Sequence, residues 1–345
     1  QTMTTSQAFR GSPAGGFQSL GSLVGVNGRS RGLGINGSGV VVGSSDFSHG
    51  MSRAFRSDGG SMVNLGTLSG GSWSEAVAIN DAGVIAGTGN RADGRTVAFR
   101  ITESGEFVDL GMLPWGQSSR SYGINQHGHI VGESIDALGV RRAFWADDLG
   151  MHAVGTLPGG GGSVARAINN DGLITGYATD ASGRDMAFIG LPGALSSLGV
   201  LSGGQSSYGL GINNLGQVVG QVTNAHSSRA FLWSAEEGMI DLNLLIDPDS
   251  GWMLQIASGI NDSGMIVGTG IKDGVSRAFL LLPKATGDPG GGGSPDPGGS
   301  GSPGGSDPRV IPEPGSLVLV VLGAIGFGGW GWDHRRRRDL SVRSE

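Results

Sequence analysis

Short apolar runs alternate with turn-forming residues along most of the chain. An Ile-Asn pair, a tight turn and a Val/Ile-rich run ending in glycine recur six times, at intervals of 44 to 48 residues. The six asparagines of this pattern are Asn36, Asn80, Asn125, Asn169, Asn213 and Asn261. A fixed period in this range indicates a repeat architecture in which each unit is one supersecondary element.

Two further patterns complete the unit. An Ala-Phe pair recurs seven times, with its aromatic ring at Phe9, Phe55, Phe99, Phe144, Phe188, Phe231 and Phe279. A Leu-Gly-x-Leu run follows at 20–23, 65–68, 110–113 and 198–201, with degenerate copies at 154–157 and 242–245. Each unit therefore contains four apolar runs bounded by Gly, Asn, Asp and Ser, which predicts four short strands. No sustained helical periodicity occurs before residue 310.

The inner runs of the unit favour a propeller. The Ile-Asn and Val-Val-Gly runs are almost continuously apolar, which predicts burial on both faces. Four strands in about 44 residues match one blade, and six blades lie within the usual range. We therefore predict an all-β fold, a six-bladed β-propeller over residues 1–285, in which the surplus Ala-Phe strand at one terminus completes a blade begun at the other. The alternative is an open β-solenoid, whose ends need capping units.

Composition agrees with many tight turns. Glycine accounts for 69 of the 345 residues, and turns repeatedly demand the positive φ that glycine tolerates. Before Leu317 the chain carries 18 basic and 26 acidic residues, so its body is unsuited to the phosphates of nucleic acid. The absence of cysteine excludes disulfides and thiolate chemistry.

The C-terminal part has a different organisation. Residues 286–310 are dominated by Gly, Pro, Ser and Asp, a composition that predicts a disordered linker. A tail at 311–345 follows, with Pro312, Glu313 and Pro314, an apolar run at 317–332, and the basic cluster Arg335, Arg336, Arg337 and Arg338. The run is short for a transmembrane helix. By the positive-inside rule, the arginine cluster predicts that the C-terminal end of the run stays in the cytoplasm and that the body of the protein lies outside.

Two resemblances follow from these motifs. The segments Ala230-Phe231-Leu232-Trp233 and 201–207, together with the Ile-Asn and Val-Val-Gly runs, resemble the bacterial HAF extracellular repeat over residues 7–282. The histidine that usually precedes Ala-Phe is absent, and the sixth unit has Asp247-Pro248-Asp249-Ser250 in place of Gly-Gly-x-Ser. The family has no activity to transfer, so this resemblance implies an exported module.

The tail closely resembles a PEP-CTERM sorting signal. That resemblance implies an exosortase that recognises Pro312-Glu313-Pro314 and removes the tail during export across a Gram-negative inner membrane. The precursor would be held transiently in that membrane, and the mature protein would reach the cell surface or medium. A simple tail anchor is the alternative. The chain begins at Gln1 without an apolar leader, and we expect a leader to have been removed or to lie outside this sequence.

No pattern in the sequence indicates an enzyme, a cofactor or a metal site. His127 and His129 flank a glycine, but no third ligand accompanies them. No serine occupies the strand-turn-helix elbow of a hydrolase. We therefore predict a non-enzymatic protein.

Three tryptophans are the best candidates for ligand contact. Trp73, Trp115 and Trp252 all fall in the loop before the Ile-Asn strand, and Arg120 and Arg166 lie near the equivalent loops. Equivalent loops lie on one face of a propeller, where exposed rings stack on sugars or anchor a partner. The alternative is that each ring covers the edge of its own blade.

These observations predict an exported binding module of the cell surface or extracellular matrix, with exopolysaccharide as the candidate ligand. One alternative is a propeller glycoside hydrolase or polysaccharide lyase, which requires paired carboxylates at one mouth of the channel. The other is a structural or adhesion protein that binds other matrix proteins.

Overall fold

The computed structural model describes residues 6–12, 16–25 and 27–283, together with the backbone of 317–321. Within these residues the chain forms β-strands, turns and three 3₁₀ turns, and no α-helix. The predicted linker at 286–310, the Pro312-Glu313-Pro314 motif and the arginines at 335–338 lie outside the described residues.

The strands fall into one two-stranded sheet and six four-stranded sheets, in chain order. The two-stranded sheet contains β1 (Ala8–Ser12) and β2 (Gly16–Gly21). Blades 1 to 3 contain β3 (Ser30–Ile35), β4 (Val41–Asp46), β5 (Ser52–Ser57) and β6 (Val63–Gly66); β7 (Ser74–Ile79), β8 (Ile85–Asn90), β9 (Thr96–Ile101) and β10 (Phe107–Gly111); β11 (Gly116–Ile124), β12 (Ile130–Asp136), β13 (Arg141–Ala146) and β14 (Met151–Ala153). Blades 4 to 6 contain β15 (Ser163–Ile168), β16 (Ile174–Thr179), β17 (Asp185–Leu191) and β18 (Ala194–Gly199); β19 (Ser206–Ile212), β20 (Val218–Thr223), β21 (Ser228–Ser234) and β22 (Gly238–Asp241); β23 (Trp252–Ile260), β24 (Ile266–Lys272), β25 (Val275–Pro283) and β26 (Leu317–Val321). The 3₁₀ turns are Ser48–Gly50, Leu242–Leu244 and Pro248–Ser250.

This arrangement is a six-bladed β-propeller and confirms the predicted fold class. Each blade is an antiparallel sheet of four strands, and strands that follow one another in the chain are neighbours in the sheet. The first strands of successive blades contact one another, from β3 and β7 through to β19 and β23. The Ile-Asn strands are therefore the inner strands of the propeller, and the solenoid alternative does not apply.

The blade core explains the glycine of the Val-Val-Gly run. The phenylalanines of the third strands in the six blades are 0 to 1% exposed. A Cβ built on Gly87 would lie 2.2 Å from the ring of Phe99 and 2.6 Å from the carbonyl oxygen of Glu75. Any larger residue would push the second strand away from the first, so glycine at this position leaves room for the phenylalanine ring.

A ladder of asparagines joins the inner hairpins. The side chain of Asn125 accepts hydrogen bonds from the backbone N–H groups of His127 and His129 within its own turn. Its Nδ2 donates to the carbonyl oxygen of Asn169 in the next blade, 3.1 Å away. The same bond to the next blade runs from Asn36 to Asn80 and onward to Asn261. Asparagine is suited to this position because one amide both accepts and donates.

A serine at the start of blades 1 to 5 supplies a second link, to the strands that precede each blade. The hydroxyl of Ser119 accepts a hydrogen bond from the backbone N–H of Ala98, 2.9 Å away, and donates to the carbonyl oxygen of Gly111 at 2.5 Å. Ser30, Ser74, Ser163 and Ser207 make the same pair of bonds. The sixth blade has no such serine, and Asn243 bonds the backbone of Leu254 there instead.

Three details differ from the sequence prediction. The run at 242–245 is not a strand, because Asp241 caps a 3₁₀ turn over Leu242–Leu244 by accepting a bond from the N–H of Asn243. The surplus strand β1 does not complete the last blade, because among the described strands it pairs only with β2. The outer position of blade 6 is instead taken by β26, which pairs with β25.

The last of these differences concerns the predicted membrane span. Leu317–Val321 forms β26, so the first five residues of the apolar run at 317–332 lie in a strand rather than in a helix. The remaining eleven lie outside the described residues. Among the helices that the structure describes, none is long and apolar enough to cross a membrane.

Candidate ligand-binding site

The two ends of the propeller carry different side chains. Each inner strand runs from the tryptophan-bearing loop of its unit to the asparagine turn, as β11 does between Trp115 and Asn125. Because Gly116 at the start of β11 pairs with Asp136 at the end of β12, the turn between second and third strands lies with the tryptophan loop. We call these the Asn-turn end and the Trp-loop end.

A polar network extends from the middle of the inner strands towards the Trp-loop end, across blades 3 to 5. It contains the three tyrosines of the chain, two acids and two arginines. Its members are Tyr122, Glu133, Arg141, Arg166, Tyr177, Asp185 and Tyr208.

Glu133 is the buried centre of the network. It is 3% exposed, and its Oε1 accepts a hydrogen bond of 2.7 Å from the hydroxyl of Tyr122. Its Oε2 lies 3.6 Å from Nε of Arg141 but accepts no hydrogen bond within the described residues. A buried carboxylate is costly unless its charge is balanced, and here the neighbouring guanidinium of Arg141 balances it.

The network continues from blade 3 into blades 4 and 5. The guanidinium of Arg141 donates to the hydroxyl of Tyr177 at 3.0 Å. The rings of Tyr177 and Tyr208 meet edge to face, with centroids 5.0 Å apart. The hydroxyl of Tyr208 then donates to Oδ2 of Asp185 at 3.3 Å. Three successive blades are thus joined through side chains.

Burial sets the ionisation of these groups. It raises the pKa of Tyr122 well above the usual value, and the neighbouring Glu133 carboxylate adds to the shift. Burial also raises the pKa of Tyr177 and raises that of Tyr208 to about 12. The pKa of the Asp185 carboxyl is raised as well, because its partial burial disfavours the charged form. At neutral pH the three phenols remain hydrogen-bond donors.

The two arginines predicted from the sequence reach this network. The guanidinium of Arg166 lies over the ring of Tyr122, 4.3 Å from its centroid. Arg120 is exposed and lies directly opposite Glu133 in the β11–β12 pair. The structure therefore brings both arginines to one site.

The three predicted tryptophans are not brought together. Trp115 is 89% exposed, and its backbone has a φ of 70°, which only a local constraint imposes on a bulky residue. Trp73 is half-buried. Trp252 is only 8% exposed and meets Phe279 edge to face at 6.5 Å. The prediction of an exposed stacking ring is therefore wrong for Trp252, which covers its own blade.

The sequence reading missed Glu133, Arg141, Asp185 and all three tyrosines. The signal was the residue after the glycine of the second strand, which is Ser44, Thr88, Glu133, Tyr177, Gln221 and Thr269 in blades 1 to 6. This position is variable while its neighbours repeat, and it becomes large and polar in adjacent units. Variation within an otherwise regular repeat marks the side chains that the fold itself does not need.

A shallow depression also lies at the Trp-loop end, in blade 4. It has a volume of about 620 Å³ and lies between Leu157, the turn carrying Asp180 and Arg184, and Ser196. Arg184 pairs with Asp180 at 2.9 Å within the turn. Within the described residues no group of three or more His, Cys, Asp and Glu side chains is placed to hold a metal ion.

Comparison with known proteins gives fold relatives only. No protein-family model matches the sequence, and no curated protein matches it. The β-propeller domain of the trilobed protease from Pyrococcus furiosus, described as having an open velcro topology, superposes with a TM-score of 0.51 at 11% identity, covering 76% of this chain and 79% of that one. A puromycin hydrolase mutant complexed with PGG gives 0.50 at 13% identity, covering 82% of this chain and 46% of that one.

A third solved structure is more distant. TolB from Acinetobacter baumannii gives a TM-score of 0.46 at 10% identity, and the alignment covers 70% of this chain and 61% of TolB. The chain thus spans less than two thirds of TolB and of the hydrolase. At 11% and 13% identity, the likeness to the protease domain and to the hydrolase establishes the propeller fold alone.

Proposed function

We propose that the propeller is a non-enzymatic binding module whose ligand is a hydroxyl-rich polymer, with exopolysaccharide as the candidate. The observation that carries the proposal is the polar network centred on Glu133, whose carboxylate accepts from Tyr122 and pairs with Arg141. Around it stand phenol donors and the Arg166–Tyr122 pair. Carboxylate acceptors, fixed donors and aromatic rings are the groups that recognise sugar hydroxyls and ring faces.

Substitution within the network tests this proposal. We expect Glu133→Gln to weaken retention of the full-length chain on purified exopolysaccharide by about tenfold, since hydrogen bonds to charged groups contribute about 1.5 to 3 kcal/mol. Tyr122→Phe removes one donor and should weaken retention by about fivefold. The matched control is Glu106→Gln, an exposed glutamate in the β9–β10 turn of blade 2, which should leave retention unchanged.

Two outcomes would contradict the proposal. Retention that is equal for Glu133→Gln and Glu106→Gln would separate sugar binding from the network. Retention only on matrix proteins, with none on polysaccharide, would favour the adhesion alternative. Circular dichroism and urea denaturation of each variant keep a folding defect distinct from a binding defect.

A polysaccharide-cleaving enzyme is the second candidate, and one observation favours it. Glu133 and Asp185 belong to the same network, and the pKa of Asp185 is raised by burial, as a general acid requires. Release of reducing ends from exopolysaccharide, abolished by Asp185→Asn, would establish this function. Absence of release at high protein concentration supports the binding module.

We also propose that the protein is exported and that an exosortase cleaves it near Pro314. The support is the ordered triplet of Pro-Glu-Pro, apolar run and arginines in the sequence. Cleavage there would remove β26 and leave β25 as the outer edge of blade 6. Mass spectrometry of C-terminal peptides from the surface fraction of an exosortase-bearing host tests the idea. Recovery of residues 339–345 on the surface form would contradict it.

A further inference from the structure

The asparagine ladder has two open ends. Asn80, Asn125, Asn169 and Asn213 are 3 to 4% exposed, and each donates to the next blade. Asn261 is exposed; it accepts bonds within its own turn, but its amide donates to no following blade in the described structure. At the other end, the carbonyl oxygen of Asn36 accepts a bond from Gly39 within its turn and none from a preceding asparagine.

The apolar surface of blade 6 is open at the same place. Val267 follows Ile266 in β24, and its equivalents Val42, Ala86, Val131 and Val219 are 0% exposed because the next blade covers them. Val267 itself is 45% exposed. A Cβ on Gly211 would lie 3.1 Å from Gly259 of the next blade, whereas a Cβ on Gly259 would meet only Val267 of its own blade. No described segment covers this face.

The first blade has the complementary opening. Ile35 of β3 is 59% exposed, whereas its equivalents Ile79 and Ile168 are 8% exposed. The sheet formed by β1 and β2 packs beside β3, and the N–H of Ala8 donates to Ser30 as Ala98 does to Ser119. β1 and β2 are therefore the third and fourth strands of a further blade, and β1 has no partner on its inner edge among the described strands.

We propose that the space beside Ile35 and Val267 is a seventh blade position, and that it binds a β-hairpin with the repeat's own inner-strand sequence. The occupant is defined by the five interfaces already present between blades. Each covers a valine, an alanine or, in blade 4, Thr175, and each completes the same asparagine bond. Such a hairpin would pair with the free edge of β1, cover Val267 and join Asn261 to Asn36. Edge addition of this kind provides backbone hydrogen bonds and buries apolar surface together.

A chain with the hairpin supplied covalently tests the fit. In this variant a copy of residues 74–95 replaces residues 1–5, so that the copied turn leads into Ser6 as the original leads into Thr96. We expect the melting temperature to rise by about 5 °C or more. A variant with the same residues in shuffled order is the control and should show no rise.

A labelling experiment reports on the site itself. Since the chain has no cysteine, Val267→Cys introduces a single thiol on the open face. We expect the copied hairpin to slow its reaction with a maleimide by about tenfold or more, because the thiol becomes buried. Leu138→Cys, at a position that is 90% exposed in a distant turn, should react equally in both backgrounds.

The outcomes separate the possible occupants. Unchanged labelling of Val267→Cys in the fusion, or a melting temperature equal to that of the shuffled control, would overturn the proposal. Protection of the thiol in the unmodified chain that increases with protein concentration would assign the face to a second copy and would equally overturn it.

Discussion

The Asn-turn end and the Trp-loop end of the propeller obey different rules. At the Asn-turn end the same asparagine recurs in every blade, and in the first five blades it makes the same bond to the next blade. From the middle of the blades towards the Trp-loop end, the residue after the glycine of the second strand ranges from Ser44 to Glu133 and Tyr177. The comparison teaches that the asparagine and serine positions, which repeat, hold the blades together, whereas the variable position of the second strand is free to carry a site.

The largest effect is expected at the interior of the ladder. Asn125→Ala should destabilise the protein by about 3 kcal/mol, because it leaves buried backbone groups of two blades without partners. The measurement is urea denaturation. The control is Asn261→Ala, at the exposed end of the ladder, which should cost about 1 kcal/mol or less. Equal losses for the two variants would show that the ladder does not hold the blades together.

The serine link should produce a smaller loss. Ser119→Ala leaves the N–H of Ala98 and the carbonyl of Gly111 without their shared partner, and should cost about 2 kcal/mol. Ser104→Ala, at an exposed turn serine, is the matched control. A cost near zero for Ser119→Ala would mean that water replaces the hydroxyl at this interface.

Part of this structure could be predicted from the sequence alone. The period, the four strands per unit and the inner position of Asn80 follow from apolar runs and turn residues, which act locally. Glu133 and Tyr177 did not follow, because their meeting depends on the angle between blades, which no local pattern encodes. β26 was also missed, since a span of 317–332 and a strand at its start share the same apolar residues.

A small stabilisation is expected at the Trp-loop end. Trp115 has a φ of 70° and its side chain is almost fully exposed. Trp115→Gly should therefore stabilise the protein by about 0.5 kcal/mol, as glycine adopts this backbone without strain. Loss of sugar retention in the same variant would identify the ring as a ligand contact. A drop in stability would show instead that the ring packs against the propeller.

The network should also make the free energy of unfolding fall at alkaline pH. The raised pKa values of Tyr122, Tyr177 and Tyr208 mean that the unfolded chain releases these protons first. Stability is then fully present below pH 10, the ordinary pKa of tyrosine, and is lost as pH rises towards the folded-state values. Tyr122→Phe should make this decline shallower. A decline of equal slope in the variant would place Tyr122 outside the network.

The most direct test of the buried network is titration of the tyrosines by absorbance at about 295 nm. The chain has only three tyrosines, and all three belong to the network, so the signal reports on nothing else. We predict that fewer than half of the phenols ionise at pH 10 in the folded protein, whereas about half do so at that pH in denaturing urea. Identical titration curves in the folded and unfolded states would contradict the network and the binding site built on it.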